Sequence, residues 1–294
     1  MRILILGSGA GGGVPQWNCG CANCWAARRH PRSLPCRTQS SVAVSADGKR
    51  WLLLNASPDL RVQLSSFPLL AAPKGRLRGS PIHAVVLTDG EMDHVTGLLS
   101  LREQKELRLV SSPAVKELLT RQFALLPALE SYCAVQYSRF PFQTASLRVA
   151  AVDLSGKTPL YARRQSRRGD VVGLRIEAAR SRKAFVYLPC LPVITDTVSE
   201  FVASGDCVLV DGTFWSNGEM TSLGITKQTA RDMGHVPISG RDGSLAWLRG
   251  FNVQRKVYVH INNTNPILRK DSRQRNAVER TGIEIAFDGM DIRL

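Results

Sequence analysis

Three short runs of aliphatic and β-branched residues in this chain each stop at a side chain able to bind metal. That repetition limits the architectures open to it. Ile82-His83-Ala84-Val85-Val86-Leu87 breaks at Thr88-Asp89-Gly90-Glu91-Met92-Asp93-His94, Cys207-Val208-Leu209-Val210 breaks at Asp211-Gly212-Thr213, and Lys256-Val257-Tyr258-Val259 reaches His260. Apolar runs of this length, interrupted by turn residues, read as buried strands. In α/β proteins sites gather beyond the carboxyl ends of such strands. A sheet brings its strand ends together, so Asp93, His94, Asp211 and His260 are expected around one cleft. His235, on the loop Met233-Gly234-His235-Val236-Pro237, can reach the same cleft or bond a backbone carbonyl. His83, inside its run, is expected in the core.

The carboxylates of Asp89, Glu91 and Asp93 are crowded beside His94 and repel one another unless a cation sits among them. The same residues would also serve as an acidic turn, with Asp93 as the N-cap of a helix from Val95 to Glu103.

Gly7-Ser8-Gly9-Ala10-Gly11-Gly12-Gly13 fits G-x-G-x-x-G behind a first strand at Ile3 to Leu6. A dinucleotide loop must open a helix, with an acidic residue about twenty positions on. Here Val14-Pro15-Gln16-Trp17 and cysteines follow, and the first carboxylate is Asp47. The glycines are instead expected to let the backbone turn beside the site. Cys19-Gly20-Cys21-Ala22-Asn23-Cys24 places three thiols within reach of one tetrahedral ion, the chemistry of structural zinc. Its fourth ligand is open among His30, Cys36 and Asn263. Cys133, Cys190 and Cys207 are expected as core thiols.

Further strands are expected at Ser40 to Ser45, Trp51 to Asn55, Arg108 to Ser111, Leu147 to Val152, Val171 to Glu177 and Ala184 to Leu188. Helices are expected after Asp59, from Pro113 to Ala124 and near Thr195 to Ala203. Two halves of strands with helices after each fit a four-layer αββα sandwich, one α/β domain over residues 1–294. No uninterrupted apolar span of about twenty residues occurs, so no transmembrane helix is expected. The apolar N-terminal stretch is too short for a signal peptide, and a cytoplasmic protein is expected. The net charge of +15 lies in runs such as Arg163-Arg164, Arg167-Arg168, Arg182-Lys183 and Arg269-Lys270 and favours anionic partners. Aromatics do not interleave with those runs, which argues against nucleic acid and for a small acidic substrate.

The segment Thr88 to Gly97 resembles the metal signature T-H-x-H-x-D-H-x-x-G of the metallo-β-lactamase superfamily. Asp89 and Glu91 stand where the family has its first two histidines, and Asp93, His94 and Gly97 where the family has them. The glycine and cysteine segment, Val210 to Trp215, Met233-Gly234-His235, His260 to Pro266 and Phe287-Asp288-Gly289-Met290 extend the likeness along the chain. Together they look like the branch of the superfamily that serves pyrroloquinoline quinone (PQQ) synthesis. A phosphonate-pathway phosphodiesterase of the superfamily shares the C-x-C-x-x-C cluster and keeps all its active-site ligands. Against it, the bridging aspartate corresponds to Cys190 or a neighbour, a histidine in the region of Ser155 to Lys157 has no counterpart, and the zinc histidine matches Asn263.

The resemblance implies an active-site metal on Asp93, His94 and His260, with Asp89 and Glu91 as orienting groups or outer ligands. Asp211 and His235 would position substrate or relay protons, and Cys19, Cys21 and Cys24 would hold structural Zn2+, with Asn263 at the fourth position. Two histidines and a carboxylate are what non-haem Fe2+ uses to bind substrate and dioxygen, whereas a bridged hydrolytic pair needs more ligands. The implied activity is hydroxylation of the tyrosine ring of a Glu-Tyr precursor, with other pathway proteins as possible partners. A non-enzymatic carrier of PQQ or its precursor and a metal-dependent phosphodiesterase are the alternatives.

Overall fold

The computed structural model describes residues 1–154 and 156–294; Ser155 lies outside the described residues. Among the described residues fourteen strands form two sheets. In chain order they are β1 (Arg2–Gly7), β2 (Ser41–Ser45), β3 (Trp51–Leu54), β4 (Ile82–Val86), β5 (Glu106–Val110), β6 (Ala134–Ser138) and β7 (Phe142–Gln143), then β8 (Leu147–Asp153), β9 (Val172–Ala178), β10 (Ala184–Leu188), β11 (Cys207–Asp211), β12 (Arg255–Val259), β13 (Glu284–Ile285) and β14 (Asp291–Arg293). The first sheet has the order β14-β1-β2-β3-β4-β5-β6 and the second β13-β12-β11-β10-β9-β8-β7. Strands β3 to β6 run parallel, as do β10 to β13, and the remaining pairs are antiparallel.

Alternation along the strands builds the layers. Ile3 and Ile5 face a core shared with Leu174, Ile176 and Tyr187 of the other sheet, while Leu4 and Leu6 face outward. That outer face of the first sheet is covered by Leu60, Leu98 and Leu129 from helical segments. The outer face of the second sheet, with Val186, Val208 and Tyr258, is covered by Val198, Val202, Leu248 and Val278 from helices Asp196–Ala203, Ser244–Arg249 and Arg273–Glu279. Both sheets are thus buried on two faces, which yields the expected αββα sandwich. Each fully buried Leu, Ile or Val contributes about 1.5–3 kcal/mol. Among the described residues no helix is long and apolar enough to cross a membrane.

Several local expectations need correction. The helix expected from Val95 to Glu103 is a short α-helix at Met92–Val95 followed by a 3-10 segment at Thr96–Leu101, and its N-cap position is Glu91. Asp93 lies inside the first turn, free of a capping role, because its carboxylate is drawn to His260. Asp59 precedes helix Leu60–Ser66 but makes no capping bond; its carboxylate takes Gln39 N at 2.8 Å. His83 is only half-buried, since its ring faces Arg108 across β4 and β5 at 2.9 Å.

Candidate metal centre and cleft

The site forms where β4, β11 and β12 end. Leaving β4, Thr88 is fixed by Asn55: Thr88 N donates to Asn55 Oδ1 at 3.0 Å, and Asn55 Nδ2 donates to Thr88 Oγ1 at 2.9 Å. Asn55 adopts a left-handed φ of 58°, a conformation asparagine tolerates better than most residues. Thr88 in turn donates to Asp89 Oδ2 at 2.7 Å, and Glu91 N donates to Asp89 Oδ1 at 2.9 Å. So braced, Asp89 accepts from His94 Nδ1 at 2.8 Å. His94 Nε2 is buried and has no hydrogen-bond partner.

His260 approaches from the opposite sheet, with its backbone in the left-handed region at φ 58°. Its ring meets that of His94 edge-on, 5.1 Å between centroids, and its Nε2 lies 3.2 Å from Asp93 Oδ2. Thr213 decides its orientation. Thr213 Oγ1 donates to Asp211 Oδ1 at 2.6 Å, which leaves its lone pairs for the N–H of His260 Nδ1 at 2.8 Å. With a metal bound, the proton would sit on Nδ1 and His260 Nε2 would join Asp93 in holding the ion; without one, Nε2–H can donate to Asp93.

One ligand atom each from Asp93, His94 and His260 lie within 4.8 Å of one another. An unpaired imidazole nitrogen, a second imidazole lone pair and a carboxylate converging on one point are the donor set of a divalent metal, and the unpartnered His94 Nε2 is the observation that fits these residues to it. Electrostatics agree. Burial would push His94 down, yet the Asp89 and Asp93 carboxylates raise it to about 9. Burial would push Asp93 up, yet His94 and His260 hold it well below the usual carboxylate range. The pocket favours positive charge between Asp89 and Asp93, which a metal supplies.

A second cluster adjoins the first. Asp211 Oδ2 accepts from Leu191 N at 2.8 Å and from His235 Nδ1 at 2.7 Å, and its Oδ1 also takes Thr213 N at 2.9 Å. His235 stacks on His260, with centroids 5.6 Å apart, and burial pushes its pKa down. Its Nε2 stands 3.3 Å from Lys157 Nζ, which also lies 3.4 Å from Glu91 Oε1. Cys190 is buried as expected but does more than pack: it lines the cleft beside Asp211 and His235. The cleft is a cavity of about 300 Å³ walled by Asp93, His94, His260 and Lys157 on the polar side and by Leu160 and Phe214 on the apolar side. At its rim the backbone passes so close that a Cβ at Gly11 would stand 3.2 Å from Asp93 Oδ2, which is the use of the glycine-rich turn. Reasoning from sequence missed Lys157, Thr213 and Asn55; Thr213 followed a named strand end, and the other two carry no local signal.

Sulfurs of Cys19, Cys21 and Cys24 also converge within 4.8 Å. Backbone N–H groups of Cys21 and Gln16 point at the sulfurs of Cys19 and Cys24 at 3.4 and 3.3 Å, the kind of support a thiolate receives. Of the three candidates for a fourth position, the structure brings Asn263, whose amide N–H groups face the sulfurs as hydrogen-bond donors and not as a metal ligand. Its Nδ2 lies 3.0, 3.6 and 3.2 Å from the sulfurs of Cys19, Cys21 and Cys24. Cys36 is exposed and, like His30, is not part of the cluster.

The paired sheets and the cleft between their strand ends define a metallo-β-lactamase-superfamily protein, and residues 50–261 match the Beta-lactamase superfamily domain. Within that superfamily the chain belongs to the coenzyme PQQ synthesis protein B family. It is 44% identical over 305 residues to the coenzyme PQQ synthesis protein B of Methylococcus capsulatus, with 100% of both chains covered. The crystal structure of Zn(2+)-bound PqqB from Methylobacterium extorquens is 39% identical and covers 100% of both chains at a TM-score of 0.92. A diphosphatase of the PhnP family, 20% identical, shares the fold at a TM-score of 0.70 over 100% of this chain and 97% of its own.

Proposed function

We propose that this protein acts in PQQ synthesis by hydroxylating the tyrosine ring of a Glu-Tyr precursor, using Fe2+, dioxygen and two electrons from an external reductant, with the second oxygen atom leaving as water. The observation that carries the reading is the convergence of three ligand atoms from Asp93, His94 and His260, beside carboxylates that are committed to hydrogen bonds. Asp89 is engaged by Thr88, Glu91 N and His94, and Asp211 by Leu191, Thr213 and His235, so bridging two ions through either carboxylate would cost hydrogen bonds that hold the site together. One ion held by two histidines and one carboxylate keeps positions open, as non-haem Fe(II) centres do, whereas paired hydrolytic metals need a bridging group. When bound, ferrous iron supplies the oxygen chemistry.

The chain's own groups supply the rest. Asp89 fixes the His94 ring, and Asp211, through Thr213, fixes the His260 ring. Leu160 and Phe214 offer apolar surface for an aromatic ring. Asp211 and His235 act together in the cleft wall, Asp211 holding His235 Nδ1 and His235 Nε2 accepting from the Lys157 ammonium at 3.3 Å, so that the pair positions that cation toward substrate. The three cysteines are assigned to structural zinc.

Loading the purified protein with Fe(II) without air, then adding Glu-Tyr, oxygen and a chemical reductant such as ascorbate, is expected to raise the dipeptide mass by one oxygen atom. Tight binding of PQQ with no mass gain would replace this reading with that of a carrier.

A further inference from the structure

We propose that Lys157 and Thr158 form a carboxylate-binding subsite in the wall of the cleft. The inference rests on the reading above and deepens it, naming an acid group as what the substrate presents there.

An ammonium carries three N–H donors. Two directions around Lys157 Nζ are taken, by Glu91 Oε1 at 3.4 Å and by His235 Nε2 at 3.3 Å, and among the described residues no third partner is found. The adjacent Thr158 has a buried hydroxyl with no hydrogen-bond partner, and both residues line the cavity that holds the metal trio. A buried, unpartnered hydroxyl is uncommon in folded proteins, and beside a cation with a proton to spare it marks a place where an acceptor belongs.

The lysine is held in place. Its stem lies against Gly234, whose φ is +79° and where a Cβ would stand 2.5 Å from Lys157 Cδ and 2.9 Å from Cγ. Any side chain there would push the ammonium out of the cleft. The segment is pinned again where Ser166 Oγ donates to Lys157 O at 2.9 Å and Tyr161 OH donates to Gly90 O at 2.6 Å.

The chemistry selects the ligand. A second metal ion is repelled by a fixed ammonium, and a neutral amide gains little from it. A carboxylate has two acceptor oxygens, one for the ammonium and one for the hydroxyl, and Glu91 shows that this ammonium already accepts such a partner.

The test is calorimetric binding of Glu-Tyr, Gln-Tyr and Glu-Tyr amide, with glutarate and glutaramide as ring-free probes, to zinc-loaded protein that cannot turn over. At least one neutralised dipeptide is expected to bind roughly tenfold or more weakly than Glu-Tyr, a difference that disappears in Lys157→Met. Should Lys157→Met leave Glu91 unpaired and fail to fold, the Glu91→Gln/Lys157→Met protein removes both charges and serves the same comparison. Discrimination of glutarate from glutaramide that depends on Lys157, with no dipeptide binding, upholds the subsite and sinks the dipeptide as substrate. Equal affinity for acids and amides in the unaltered protein, or discrimination that survives Lys157→Met, overturns the subsite whatever the hydroxylation assay gives.

Discussion

Asp89 Oδ2 lies 2.8 Å from His94 Nδ1, and this carboxylate behind the imidazole leaves His94 Nε2 bare and aimed at the cleft. A histidine so held keeps its ring angle and gains basicity as a ligand. Asp89→Asn keeps an acceptor but loses the charge, and Asp89→Ala loses both. Affinity of the cleft for Fe(II) or Zn(II) is expected to fall about 10-fold in the first and nearer 100-fold in the second, measured by competition with a chromogenic chelator. Unchanged affinity in Asp89→Ala would remove Asp89 from the support of the centre.

Replacing His94 or His260 with alanine is expected to remove one metal equivalent per chain while the equivalent at Cys19, Cys21 and Cys24 stays. Elemental analysis after gel filtration reads this directly. Full metal content in His260→Ala would take that residue out of the ligand set.

Thr213→Val keeps the side-chain shape but removes the hydroxyl between Asp211 and His260, leaving buried acceptors and donors unpaired. The expected loss of stability is about 1–3 kcal/mol, with weaker metal retention in the cleft. Chemical denaturation of metal-free protein and a metal titration separate the two effects. A variant as stable as the parent would show that the hydroxyl does not tie the ends of β11 and β12 together.

At the cysteine centre, Asn263→His offers a stronger zinc donor than an amide. It is expected to slow zinc removal by a chelator, and Asn263→Ala to hasten it, with rates followed by a zinc dye. Equal rates in all three proteins would place Asn263 outside the centre.

Glu219 accepts from Thr264 and from Trp215 N, yet burial raises its carboxyl to about 7 from an ordinary 4.5. A raised folded-state value means that its stabilising contribution is complete below the unfolded value and is lost as pH rises through about 7. The amount at stake is about 3–4 kcal/mol at most. Glu219→Gln can turn its amide nitrogen to Thr264 and its oxygen to Trp215 N, and the slope of stability between those pH values is expected to flatten. A slope identical in both proteins would refute the assignment.

The strands and the ends that bear ligands were legible because both are local. Apolar runs stopping at Asp93-His94, Asp211 and His260 state a burial pattern and a chemistry within a few residues. The fold follows from their alternation with helices. What was not legible depends on distance in sequence. Lys157 sits in a polar, basic stretch and meets His235, 78 residues away, only after the second sheet has formed. Asn55 looks like the end of a strand until its side chain is seen holding Thr88. The helix expected from Val95 to Glu103 tightens into a 3-10 segment at Thr96–Leu101, a change that no single residue there announces.

His260 and Asn263 sit on one short segment leaving β12, the first facing the cleft and the second lying over the three sulfurs. Between them, Ile261 is clamped to the glycine-rich turn through Ser8 O and Ala10 N, both at 2.9 Å. The two centres are therefore mechanically coupled through a few stiff peptide bonds. If both proposed centres hold ions, stripping the one at the cysteines is expected to slacken the hold on the one in the cleft, with the outer centre serving as a tensioner for the inner.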